Sequence, residues 1–167
     1  MTNDERIQKA IELFHSGFNC AQSVTAAFAD DYEMTEEQAL KVSASFGGGI
    51  GRMRETCGAA CGMFILAGLE TGSTKAGDRE GKNYNYKVVQ ELASEFVKRN
   101  GSLICGVLLG LKQDDKLSPE SQPRTTEFYK KRPCEKMVEE AARIWIDFKE
   151  KGKSEAKNPT STAEEEE

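Results

Sequence analysis

A single histidine, His15, stands in the 167 residues, and that scarcity excludes multi-histidine zinc centres and two-histidine iron sites. Long apolar runs are missing too: the best, Gly62 to Leu69, falls far short of the roughly 20 residues that a membrane-spanning helix needs. Five cysteines make up about 3 % of the chain, well under the ~8–10 % of a disulfide-stapled scaffold, and the odd count leaves a thiol over in any intramolecular pairing. There is no Cys-x-x-Cys-His, no zinc-finger spacing, no bacterial ferredoxin run and no serine-centred catalytic motif. The opening residues carry early acids and no apolar stretch of signal-peptide length, which predicts a protein that stays in the reducing cytoplasm. Cysteines there serve more often as ligands or redox groups than as staples.

Charge excludes a further class. The net charge is −5, with both signs interspersed, whereas binding a phosphate backbone needs a basic face. The densest basic run, Lys130-Lys131-Arg132, has the length of an ordinary solvated surface. Nucleic acid and membrane insertion are therefore not expected. A redox partner protein and homo-oligomerisation both remain compatible with the composition.

Helical periodicity dominates what is present. Asp4 to His15 places Ile7, Ala10, Ile11 and Phe14 on one stripe, and Asn19 is a cap for a second helix with Ala21, Val24, Ala27 and Phe28. Thr35-Glu36-Glu37-Gln38 is a capping box that opens a third helix, stopped by Gly47-Gly48-Gly49. From near Thr56 a helix through Met63, Phe64, Leu66, Ala67 and Leu69 is small or apolar almost throughout, which predicts burial on most sides. Asn83 to Arg99 predicts an amphipathic helix with Tyr86, Val89, Leu92, Ala93, Phe96 and Val97 inward, closed by Asn100-Gly101. Leu103 to Leu111 reads equally as a short helix or a strand. A last helix from about Pro133 carries Met137, Val138, Ala141, Ala142, Ile144, Trp145 and Phe148. The expected fold is all-α: one multi-helix domain over residues 1–149 around a central buried helix, with 150–167 a disordered, acidic-ended tail.

The cysteines carry the chemistry. Cys20, Cys57 and Cys134 fall at predicted helix starts, where unpaired N–H groups favour thiolate, and Cys105 follows a Gly-Ser turn. Cys57 and Cys61, at i and i+4, share a helical face with a rise of ~6 Å, which suits two ligands of one cluster better than a disulfide. Gly58, Ala59, Ala60 and Gly62 leave no bulk beside Cys57, as close backbone packing or a neighbouring cofactor requires. The order Cys20…Cys57-Gly58-Ala59-Ala60-Cys61-Gly62…Cys105…Cys134 resembles the family of redox-active proteins named for a Cys…Cys-Gly-Ala-x-x-Gly…Cys…Cys pattern (C_GCAxxG_C_C), over about Gly17 to Phe148. The resemblance implies an all-helical redox or metal-cofactor protein with Cys20, Cys57, Cys105 and Cys134 as the family positions; Cys61 falls on a variable one.

Three functions follow as expectations. The first is an iron–sulfur electron-transfer protein with Cys20, Cys57, Cys105 and Cys134 as ligands, Cys61 being a candidate extra ligand. The second is thiol–disulfide exchange, with Cys57 attacking and Cys61 or Cys105 resolving. The third is a helical module built on a structural zinc site. Phe46-Gly47-Gly48-Gly49-Ile50-Gly51-Arg52 lacks the phosphate-loop lysine and reads as a turn shaping the thiolate site, with Arg52 and Arg54 available to offset negative charge. His15, at a helix end, is expected to meet terminal carbonyls.

Overall fold

The computed structural model describes residues 1–157. Eight helices follow one another: α1 Asn3–His15, α2 Cys20–Ala26, α3 Glu36–Ser43, α4 Gly58–Thr71, α5 Arg79–Asn100, α6 Cys105–Leu108, α7 Thr126–Lys131 and α8 Cys134–Lys157. Three start on reciprocal capping boxes, Thr2 with Glu5, Asn19 with Gln22, and Thr35 with Gln38, each satisfying two N–H groups that a helix start would otherwise leave unpaired. Gly101 closes α5 at φ 92°, a left-handed conformation that glycine adopts without steric cost. The fold is all-α.

α4 lies at the centre, as its composition predicts, packed by α2, α5 and α8. Gly58 through Met63, with Leu66 and Ala67, are buried. Around it gather Phe14 of α1, Val24 of α2, Phe96 of α5 and Trp145 of α8, all within a single core. Glycine sets the tightest approach: a Cβ on Gly62 would stand 2.8 Å from the Val24 Cβ and 3.0 Å from the Ala21 carbonyl oxygen, and one on Gly58 would stand 2.9 Å from the Phe46 carbonyl oxygen. The helix pair α2–α4 therefore closes to a distance that only glycine permits.

The structure corrects or completes the sequence reading at four places. On α5 the buried stripe is Val88, Leu92 and Phe96, while Tyr86 is 60 % and Val97 39 % exposed. Asn85 fixes that register by donating to Thr71 Oγ1 at 2.9 Å and to the Ala67 carbonyl. The ambiguous stretch after Leu103 resolves into both readings: Ile104 makes an isolated antiparallel bridge with Thr56, and α6 begins at the next residue. Thr125 caps α7, a short helix not evident from the pattern. Last, α8 continues through 150–157, beyond the boundary expected at 149; residues 158–167 lie outside the described residues.

Candidate functional site

Between α3 and α4 the chain makes an unusual left-handed turn. Gly48, Gly49, Ile50, Gly51 and Arg52 all have φ between 57° and 75°, and Arg54 follows at 62°. For a residue with a Cβ this region costs roughly 1–2 kcal/mol, most conspicuously for β-branched Ile50. Backbone bonds over-determine the turn: Gly51 N–H donates to Ser45 O at 2.7 Å, Arg54 N–H to Gly48 O at 3.2 Å and Glu55 N–H to Gly49 O at 2.9 Å. Gly49 presses against Cys105, where a Cβ would stand 2.5 Å from the cysteine's own.

The turn delivers its end to the α6 connection. Cys57 N–H donates to Leu103 O at 2.7 Å, Cys105 N–H to Glu55 O at 2.6 Å and Gly106 N–H to Arg54 O at 3.1 Å. These bonds place Cys57 and Cys105 diagonally across the pairing, near enough for Cys105 to raise the Cys57 pKa. The glycine-mediated approach of α2 to α4 brings in Cys20, whose Cβ faces the Gly58 position, and Cys134 enters as the first residue of α8. Cys20, Cys105 and Cys134 each open a helix, and Cys57 is the N-cap of α4.

The four sulfurs sense one another. Hydrogen bonding with Cys134, then burial, holds the Cys20 thiol well above its ordinary value. The same bond, then the guanidinium groups of Arg132, Arg124 and Arg54, bring Cys134 down to about 7 against the opposing effect of burial. The Cys20 thiol also feels Cys57 and Cys105, and Cys57 feels Cys105 and Cys134. Burial pushes Cys57 up to about 12, outweighing the amides of Ala59 and Ala60 at the start of α4. Cys105 is likewise raised by burial, although Arg54 Nη1 lies 3.8 Å from its sulfur and opposes the shift. Cys61 has its thiol donating to the Thr56 carbonyl at 3.7 Å, and burial, with a smaller contribution from Cys105, raises its pKa to about 11. The helix-start reasoning for a low-pKa Cys57 thus fails, because desolvation is the larger effect there.

Arginines surround the sulfurs more densely than the sequence suggested. Arg124, which composition does not single out, donates to the carbonyls of Phe14 and Phe18 at 3.0 Å and lies over the rings of Phe14 and Phe128. Arg132, part of a run expected to be mere surface, donates to Gln122 and faces Cys134. A cavity of 320 Å³ between these arginines and Arg52 and Arg54 exposes Cys20 and Cys134. His15 meets a carboxylate rather than helix-end carbonyls, its Nε2 lying 2.8 Å from Glu135 Oε2 beside the Tyr129 ring.

All donors at this centre are thiols, the donor set that iron–sulfur clusters take. Among the described residues no three His, Cys, Asp or Glu side chains already form a ligand set for one metal ion, and no helix is long and apolar enough to cross a membrane. No curated protein and no solved structure matches the chain. A family model does, over residues 18–148, a span that holds all four converging cysteines, and the chain belongs to that family, described as "Putative redox-active protein (C_GCAxxG_C_C)".

Proposed function

We propose that Cys20, Cys57, Cys105 and Cys134 form one redox centre that holds an iron–sulfur cluster and mediates electron transfer. The observation that supports this reading is that four thiols from the starts of α2, α4, α6 and α8 lie close enough to shift one another's pKa, while Cys61 is linked to the group through Cys105. Four thiolates in such a group, two of them buried and two half-buried, would repel without cations to balance them. A bound cluster supplies one-electron redox chemistry. The chain's own part is to orient the sulfurs through the 54–57 and 103–106 backbone pairing, to shield Cys57 and Cys105 by burial, and to offset anionic charge with Arg54, Arg124 and Arg132. Guanidinium groups this close favour the more negative, reduced state and so raise the potential.

Anaerobic purification followed by visible absorption and iron and sulfide analysis tests the reading. Stoichiometric iron and sulfide, lost on substitution of any one of the four cysteines, is the expected result. A colourless protein that takes up no iron on reconstitution refutes it, and stoichiometric zinc would replace it with a structural zinc site.

One observation favours a second reading, thiol–disulfide exchange, with roles different from those expected of Cys57 and Cys61. Hydrogen bonding with Cys20 and the nearby guanidinium groups favour the thiolate at Cys134. Its sulfur would attack a partner disulfide and release one partner thiolate; Cys20, on losing its proton to that thiolate, would then displace the second partner sulfur. Iron-free protein that oxidises to a defined Cys20–Cys134 disulfide supports this alternative.

A further inference from the structure

Beside Cys105 lies a groove of 860 Å³ that the sulfurs' own chemistry does not require. Of the eleven large hydrophobic side chains left exposed among the described residues, five line it: Met53, Ile104, Val107, Leu111 and Leu117. Val107 is 63 % and Leu117 56 % exposed, a cost in solvation that a folded monomer usually avoids concentrating in one place. Around this apolar floor stand Arg52, Arg54, Lys112, Lys116 and Arg132, against only two carboxylates, Glu55 and Asp115.

Among the described residues none of those five cations forms an ion pair, although carboxylates outnumber cations in the whole chain. Arg52 is held below its ordinary pKa by burial and then by the neighbouring charges of Arg54 and Arg132, so the three form one mutually repelling ridge. The same ridge walls the smaller cavity that exposes Cys20 and Cys134. Volume and lining match a small-molecule site, which typically encloses roughly 300–1,000 Å³ of mostly apolar surface with a few placed polar groups.

We propose that this groove binds a small amphipathic anion, with its apolar body over Val107, Leu111 and Leu117 and its carboxylate, sulfonate or phosphate on the ridge of Arg52, Arg54 and Arg132. A bare inorganic anion would leave the floor unused, and a neutral hydrophobe would leave the ridge unpaired. A groove of this depth also suits a compact molecule better than the flat face of a partner protein. The site goes beyond the reading of the sulfurs as a cluster centre and holds whichever chemistry they perform.

Isothermal titration of the full chain with anthraquinone-2-sulfonate, a flat apolar body with one fixed negative charge, tests it. Saturable one-to-one binding is expected, weakened about tenfold or more by Val107→Glu and by Lys116→Glu through charge repulsion at the floor and lost charge at the rim. Both side chains are exposed, so thermal melts should match wild type. Lys98→Glu, on α5 away from the groove, should leave binding unchanged. Absence of saturable binding, indifference to both groove variants, full displacement by equimolar inorganic sulfate, or equal affinity for neutral menadione would each overturn the proposal. Iron content, read separately, reports on the sulfur centre alone.

Discussion

Gly62 and Val24 meet where α4 crosses α2, so closely that a Cβ added to the glycine would stand 2.8 Å from the valine Cβ. One turn earlier on α4, Gly58 meets the start of α2 beside Cys20. The last glycine of the Cys-Gly-Ala-x-x-Gly motif is thus a spacer that holds Cys20 within reach of Cys57, and the motif encodes an interhelical distance as much as a ligand.

Gly62→Ala is therefore expected to destabilise the protein despite the better helix propensity of alanine. Overpacking costs about 1–3 kcal/mol against a propensity gain of ~1 kcal/mol, and one contact is with the backbone carbonyl of Ala21, which has little freedom to yield. Gly68→Ala, on the same helix with open space around it, should instead stabilise by roughly 0.5–1 kcal/mol. Denaturant melts of the two variants check the pair.

Gly49→Ala should disrupt the centre while sparing the helices. The new methyl would meet the Cys105 Cβ at 2.5 Å and the Arg54 Cα at 2.8 Å, at a φ of 75° that already disfavours alanine. Far-UV circular dichroism should stay near wild type while bound iron falls, or, in metal-free protein, alkylation of Cys105 accelerates.

In reduced, metal-free protein Cys134 should be the first thiol alkylated by iodoacetamide, with a rate that rises through about pH 7. Cys57 and Cys61, held up at about 12 and about 11, should stay unreactive until strongly alkaline pH. The stability consequences have opposite signs. Cys134 is depressed below the ordinary 9.0, so between about pH 7 and 9 the unfolded chain binds the extra proton and stability rises with pH. Cys57 is raised above 9.0, so between about pH 9 and 12 the folded chain keeps the extra proton and stability falls. A chemical-denaturation pH series should therefore peak near pH 9, and Cys57→Ala should flatten its alkaline limb.

Cys61→Ala should retain full iron and sulfide if the centre is a cluster, since its thiol is already engaged by the Thr56 carbonyl. Arg54→Gln should keep the metal yet shift the potential to more negative values, because it removes a cation 3.8 Å from the Cys105 sulfur. Potentiometric titration of the two variants separates these roles.

Local rules made much of the fold legible. Asn19 and Thr35 with their glutamines three residues on, and Gly101 after α5, are short-range signals that the structure reproduces. The smallness of residues 58–62 foretold a central helix. Hidden from such rules were effects that depend on distant chain: the tilt of the α5 stripe set by Asn85 reaching Thr71, and the burial that raises Cys57. Arg54 was legible beside the thiolate site, but Arg124 and Arg132 were not, since they join it only through the connection that follows α6. Three glycines in a row signalled a turn; that Ile50 and Arg52 join Gly48 and Gly49 at positive φ has no local signature.

The position of Cys134 at the start of the last helix has a consequence for biosynthesis. The first cysteine of the centre leaves the ribosome more than a hundred residues before the last, on the order of ten seconds earlier at ordinary elongation rates. During that interval Cys20, Cys57 and Cys105 belong to a nascent chain without α8, which brings Cys134. If the four thiols form one centre, its assembly waits on that helix.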